Sequence, residues 1–235
     1  MTTAVEIGDD AMPEPVTSAP TDDVIGGDPP GMAVPLRRVI ALVAVACFFG
    51  GAVAYFLSTP RPPGADSVDV GFYRDMTVHH DQGVELASIE LANGSNSTVK
   101  GFAREIILAQ RWELGRMYQQ LTEWGASVAP TDTAMDWMGM PVPTGSMPGL
   151  ATAEELQALG DATGTEADTL FLELMAEHHR GAIHMATYAA QNAEDADVRG
   201  LASVMARNQA IEINEFIQTA ERFGLDVDIE PAEIP

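Results

Sequence analysis

Cysteine is nearly absent. Cys47 is the only one in 235 residues, and it lies inside a long uncharged run. The remainder of the chain therefore has no internal disulfide, and no thiolate to hold a metal. Basic residues are scarce as well: twelve Lys and Arg stand against thirty-five Asp and Glu, a net charge of −23. Residues 1–38 hold two Arg and seven acids, net −5, and residues 58–235 hold ten basic and twenty-eight acidic groups, net −18. A surface of this sign repels nucleic acid and anionic lipid, which attract basic proteins, so no nucleic-acid partner is expected. Neither of the segments 72–125 and 171–224, which hold the histidines, alternates apolar and polar residues in the manner of a half-buried strand. Glu-x-x-His is missing too. That omission removes the pattern of four carboxylates and two Glu-x-x-His pairs found in di-iron helical bundles, and an oxidase or hydrolase reading is correspondingly weakened.

What the chain does have is one run of nineteen uncharged residues, Val39–Leu57, long enough to span a bilayer as a helix. Arg37 and Arg38 flank its start and only Arg61 follows soon after, which sets the N-terminus in the cytoplasm and the rest of the chain outside it. A cleaved signal peptide, with Ala52-Val53-Ala54 as the cleavage site, and lipidation at Cys47 are the rival readings. The long acidic leader and the continuation of the apolar run past both positions favour an uncleaved anchor. The expected organisation is a disordered acidic cytoplasmic tail (1–38), a transmembrane helix (39–57), a Pro-rich stalk (58–66), a folded domain (67–225) and a C-terminal tail (226–235).

Four of the five histidines fall in two matching stretches. Met76-Thr77-Val78-His79-His80 and Met175-Ala176-Glu177-His178-His179 are separated by a constant 99 residues. On a helix, Met76, His79 and His80 share one face, as do Met175, His178, His179 and, about two turns further, Met185. His184 falls on the opposite face. Imidazole and thioether form a soft, neutral donor set. Thioether favours Cu(I), and imidazole suits copper, zinc, iron or nickel. The alternative is a core helix in which methionine fills gaps and histidine caps hydrogen bonds.

The register of 99 holds without a gap from Phe72–Gly125 to Phe171–Gly224, which marks a duplicated helical hairpin. Turn-forming residues at Asn93–Ser97 and Asn192–Asp195 split each copy. The predicted helices are 67–93, 97–124, 165–192 and 196–223, with Gly125 and Gly224 as C′ glycines and Thr165 with Asp168 capping the third. Two hairpins with one apolar face each pair best as a four-helix bundle with pseudo-two-fold symmetry; the fold class is all-α. Gln110-x-x-Glu113 recurs as Gln209-x-x-Glu212 in otherwise apolar surroundings. A carboxylate facing a core needs a partner. Glu113 and Glu212 either orient the histidines or complete a metal site, or else form plain structural pairs with histidine or with Arg74 or Arg180.

The connector 126–150 carries Met135, Met138, Met140, Met147 and Trp137. Its thioethers either capture Cu(I) or cover one end of the bundle. Thr152-Ala153-Glu154-Glu155 reads as a capping box opening a short helix to about Leu159. Asn93-Gly94-Ser95 and Asn96-Ser97-Thr98 match the glycosylation pattern, but turn composition accounts for them.

The Met-x-x-His-His-x-Gly-Ala-Ile-x-Met-Ala run at 175–186, the Gln-x-x-Glu pattern and the Met-rich connector resemble the domain of unknown function 305 family, over about residues 70–224. In the first copy Gln82-Gly83 replaces Gly181-Ala182, and Leu86 stands for Met185. The resemblance implies a ferritin-like bundle, secreted or membrane-anchored, with copper binding in some members. It implies Met76, His79, His80, Met175, His178, His179 and Met185 as ligands. The expected function is thus a membrane-anchored extracytoplasmic protein of copper binding and homeostasis. A metal-free accessory or assembly protein docking on a membrane complex, and a ferritin-like metalloenzyme, are the alternatives.

Overall fold

The computed structural model describes residues 34–58 and 61–235. Residues 1–33, most of the expected acidic tail, lie outside the described residues. The chain divides into two compact units, Met1–Thr59 and Pro60–Pro235.

In the first unit, α1 (Leu36–Ser58) is the one helix among the described residues that is long and apolar enough to cross a membrane. It begins three residues ahead of the uncharged run, so Arg37 and Arg38 belong to its first turn. None of its side chains is buried.

The second unit is mostly helical. Its long helices are α2 (Val68–Asn93), α3 (Ser97–Glu123), α5 (Thr165–Asn192) and α6 (Ala196–Phe223), with the short α4 (Ala153–Asp161) before α5. Helices α3 and α6 begin alike, at positions 99 residues apart. Asn96 accepts from Thr98 N and Val99 N to open α3. Its counterpart Asp195 accepts from Asp197 N and Val198 N to open α6. Lys100 and its counterpart Arg199 each reach back to carbonyls at the end of the preceding helix, where cationic side chains are favoured. Gly125 and Gly224 take the left-handed conformation expected after α3 and α6.

Packing runs α2 on α3, α5 on α6, and α2 against α5. The last contact is antiparallel, because two aspartates fasten the helix ends crosswise. Asp69, in the first turn of α2, accepts from Glu194 N and Asp195 N between α5 and α6. Asp168, in the first turn of α5, accepts from Ser95 N, Ser95 Oγ and Asn96 N between α2 and α3. These residues match at the repeat spacing. This corrects the expectation that Thr165 and Asp168 cap α5. The N-cap of α5 is Gly164, with no side-chain hydrogen bond, because the Asp168 carboxylate is taken by the other hairpin.

The core falls into two apolar halves. One joins Phe72, Tyr73, Met76, Leu114, Met117, Leu121, Met185, Val198 and Met205. The other joins Leu86, Val99, Ile106, Phe171, Leu172, Met175, Ile213 and Phe216. Each buried side chain of this size contributes about 1.5–3 kcal/mol. Between the halves, at mid-length of the long helices, lie the buried His79, His80, Gln110, Glu113, His178, His179 and Gln209.

The connector is ordered around Asp75. Its carboxylate accepts from Met135 N and from Trp137 Nε1, both at 2.7 Å. A side chain at Gly71 would collide with the Trp137 ring. Two-residue strands, β1 (Thr133–Ala134) and β2 (Val142–Pro143), pair antiparallel, a small β-ribbon that the sequence pattern does not announce. Met135, Met138 and Met147 are buried and Met140 is half exposed. Three of the four connector thioethers therefore pack into the fold instead of standing free to capture metal. Thr152 and Glu155 form the expected capping box of α4. Asn93 donates to Leu159 O and Gly160 O, which gives that asparagine a structural task. The C-terminal segment is held as well. Leu225, Val227, Ile229 and Ala232 pack on the second apolar half, Asn214 pairs with Ala232 through both backbone groups, and Arg180 bonds Glu230 O.

Two outcomes follow for stability. Asp168→Ala leaves two backbone N–H groups without their acceptor and should lower the unfolding free energy by about 1–3 kcal/mol in urea titrations; a loss below about 0.5 kcal/mol would show the crosswise bonds to be idle. Glu90 is fully buried, and burial first, then neighbouring Asp168, raises its pKa to about 8. The folded state thus holds a proton that the unfolded chain releases near 4.5, and stability is lost as pH rises between those values. Glu90→Gln should remove this loss, the variant gaining on the parent by up to about 1.4 kcal/mol per pH unit across that window.

Candidate metal centre

The histidine pairs sit at the midpoints of α2 and α5, the two helices that face each other. Antiparallel packing of matched helices brings matched residues together where they cross. The His79 and His178 rings meet there, with centroids 4.0 Å apart and planes inclined by 41°. All four imidazoles are buried to 1 % exposure or less.

Each ring gives one nitrogen to an acceptor. His80 Nε2 lies 2.8 Å from Glu113 Oε2, and His179 Nε2 lies 2.6 Å from Glu212 Oε2. His178 Nε2 lies 2.8 Å from the backbone carbonyl of His79, and His79 Nε2 lies 3.1 Å from that of Pro148. A carbonyl oxygen can only accept. His79 and His178 therefore carry their hydrogen on Nε2 and keep the Nδ1 lone pair. No hydrogen-bond partner meets Nδ1 of any of the four. Burial is the first cause that pushes the His79 pKa down to about 3, followed by the charge of His80. Burial also holds His178 well below the ordinary histidine range, followed by His79. These two rings are neutral donors at physiological pH, the state in which imidazole binds metal.

Two glycines make room for the layer. A Cβ at Gly83 would collide with the Gln110 amide and stand 2.6 Å from His178 Cε1. A Cβ at Gly181 would collide with the Pro148 carbonyl and lie 3.0 Å from His79 Nε2. The connector crosses α5 at Gly181 and delivers its carbonyl to His79. Gln82 fixes the connector's far end, donating to Ala151 O and accepting from Ala151 N. The Gln82-Gly83 departure in the first copy is thus a pair of positions with tasks of their own. Gln82, Pro148 and the Asp69–Asp168 pair are the functional or positioning residues that motif reading passes over. Asp69 and Asp168 do match at the repeat spacing, which was the available signal.

Among the expected ligands, the structure brings His79, His80, His178 and His179 into one layer and places Glu113 and Glu212 on two of them. Glu113 and Glu212 pair with histidine and not with arginine; Arg180 instead pairs with Glu177. Met76 and Met185 lie in one apolar half of the core and Met175 in the other. His184 is exposed on the far face, as expected. Among the described residues no three His, Cys, Asp or Glu side chains converge as a closed cation cage.

The DUF305 family profile, a domain of unknown function, matches residues 69–220. A crystal structure of a DUF305 protein from Streptomyces coelicolor is 35 % identical over 71 % of this chain and 100 % of that one, with a TM-score of 0.66. A DUF305 fragment from Deinococcus radiodurans is 27 % identical over 69 % and 99 %, with a TM-score of 0.58. CopM in its Cu(II)-bound form is 25 % identical over 66 % and 97 %, with a TM-score of 0.51. No functionally curated protein matches.

In the metal-free protein, nitrogen-15 NMR should find His79 and His178 as neutral Nε2–H tautomers throughout the interval between the unfolded value of 6.5 and the folded His79 value of about 3. Because both folded pKa values are depressed, their contribution to stability is intact above 6.5 and is lost as pH falls through that interval. An Nδ1–H tautomer or an imidazolium at mildly acidic pH would contradict the hydrogen-bond assignment.

Proposed function

The chain belongs to the DUF305 family, and from that membership we propose that it is a membrane-tethered, extracytoplasmic copper-binding protein. The observation that carries this reading is the set of four buried imidazoles whose Nε2–H groups are committed to fixed acceptors while every Nδ1 stands without a partner. A histidine that ligates through one nitrogen normally donates from the other to a carboxylate or carbonyl, which fixes the ring and raises its basicity. Glu113, Glu212, Pro148 O and His79 O fill that role. Met76, Met175 and Met185 offer thioethers on the same helices, from the apolar halves that flank the layer, and the folded unit has no cysteine to compete. This donor set fits a soft monovalent ion better than a hard one. The similarity to CopM, a protein seen with Cu(II), supports copper as the metal.

When bound, copper would supply a one-electron couple. The chain's own part is to hold, orient and shield. We read the two hairpins as a four-helix bundle of the ferritin-like class, supported by the antiparallel contact of α2 with α5. Arg37 and Arg38 at the head of α1 support a cytoplasmic N-terminus, with the folded unit outside the membrane.

A second reading has its own observation. All four histidines already make one good hydrogen bond, and among the described residues no three charged or imidazole ligands converge. A metal-free polar layer within an assembly protein is consistent with that.

Titration of the full-length protein in detergent with Cu(I) against a competing chelator separates the two, with Zn(II) and Cu(II) as comparisons. On the copper reading Cu(I) is retained, His79→Ala with His178→Ala abolishes retention, and Glu113→Gln with Glu212→Gln weakens it about 10–100-fold. If no metal is retained by the folded parent, the copper reading falls and the assembly reading stands.

A further inference from the structure

On the side of the histidine layer formed by α3 and α6 there is a small cavity of about 40 Å³. Eight residues line it, and they fall into four pairs at the repeat spacing: Ile106 with Met205, Ala109 with Asn208, Gln110 with Gln209, and Glu113 with Glu212. The cavity is therefore centred on the pseudo-two-fold axis. It exceeds the roughly 10–15 Å³ that a single water needs.

Its polar lining is rich in oxygen and poorly satisfied. Gln110 is 3 % exposed and neither its Oε1 nor its Nε2 has a partner; Gln209 is 5 % exposed and its Oε1 has none. Unpaired buried amide oxygens cost free energy, and native proteins seldom leave them so. Glu113 and Glu212 each commit Oε2 to a histidine. Their second oxygens remain, and the two carboxylates bring negative charge to a site with no Lys or Arg in its lining. Oxygen donors with paired carboxylates select hard divalent cations such as magnesium, calcium or manganese, not a soft ion.

We propose that the α3–α6 seam holds a second cation site, on the pseudo-two-fold axis, in which Gln110, Gln209, Glu113 and Glu212 each offer one oxygen to a hard divalent ion. The site is chemically distinct from the Met/His set and does not depend on copper being bound. Its coupling to the histidine layer is direct, because each carboxylate that faces the ion also accepts a histidine N–H. Occupancy of the seam would stiffen His80 and His179. Met205, which stands where the first copy has Ile106, adds a thioether to the wall without altering the oxygen count.

Mn(II) is the probe, bound to the full-length protein in detergent at physiological salt and followed by electron paramagnetic resonance and thermal unfolding. The parent should immobilise Mn(II), release it to excess Mg(II) or Ca(II), and gain thermal stability as it binds. Gln110→Leu with Gln209→Leu keeps size, removes the unpaired amides and leaves both Glu–His bonds in place. It should weaken Mn(II) binding at least about tenfold while melting no lower than the parent in chelator. Should the double variant fail to fold, Gln209→Glu serves in its place: a third carboxylate in the seam should tighten Mn(II) binding. A parent that immobilises no Mn(II), meaning the cavity holds water only, overturns the proposal. So does a folded double-leucine variant that binds as the parent does, or a Gln209→Glu variant that binds no better. None of these outcomes touches the Cu(I) titration, so the two readings fail separately.

Discussion

An imidazole cannot be buried without an acceptor for its N–H, and this protein buries four at one level. The centre of the folded unit is arranged to meet that requirement. Two acceptors are carboxylates set on α3 and α6, one turn beyond the paired glutamines. One is the carbonyl of a facing helix. The last comes from the connector, which reaches the layer only because residue 181 is glycine. The apolar halves on either side close the layer along the helix axes and leave its α3–α6 side as the one that meets a small cavity. Burial in turn keeps His79 and His178 neutral. Removing the carbonyl that meets His178 or His79 would leave a buried N–H without its acceptor, at a cost of about 1–3 kcal/mol.

Much of this was legible in the sequence, and the reasons are specific. The repeat made the helix boundaries readable, since a turn seen weakly in one copy is seen again in the other; α2, α3, α5 and α6 begin and end within one or two residues of the expected positions. The histidines were recognisable because histidine is rare here and paired. Glu113 and Glu212 were recognisable because a carboxylate in an apolar stretch must have a partner. What stayed hidden depends on the third dimension. Asp168 stands at a helix start and follows a threonine, the local signature of a cap, yet its carboxylate serves the other hairpin. Its pairing with Asp69 is a property of antiparallel packing, which no local pattern encodes. The connector's methionines look mobile in a Pro- and Gly-containing segment, but Asp75 recruits Trp137 and the backbone at Met135 and the thioethers follow them inward. Pro148 offers a carbonyl, a group that every residue has, so nothing in its identity marks it out.

The two copies are alike in their scaffold and unlike in their chemistry. The caps, the crosswise aspartates, the Gln-x-x-Glu pairs and the histidine pairs are held in common. Where the connector lands the copies differ in Gln82 against Gly181 and Gly83 against Ala182, and near the other end the buried Glu90 beside Asp168 stands against Ala189. An inserted loop meets only one of two equivalent surfaces, so the residues it touches must differ from their counterparts.

The crosswise aspartates carry a further consequence. Each hairpin supplies the acceptor that finishes the other's turn, on the same residue and in the same manner, which is the hallmark of an isologous contact between identical subunits. The two hairpins are joined end to end as two subunits would be, with the connector setting a high effective concentration of one for the other. Covalent linkage frees such a dimer from obeying its own symmetry. A homodimer must alter both halves with every substitution, whereas this chain can keep its histidines paired and reshape one approach to them alone.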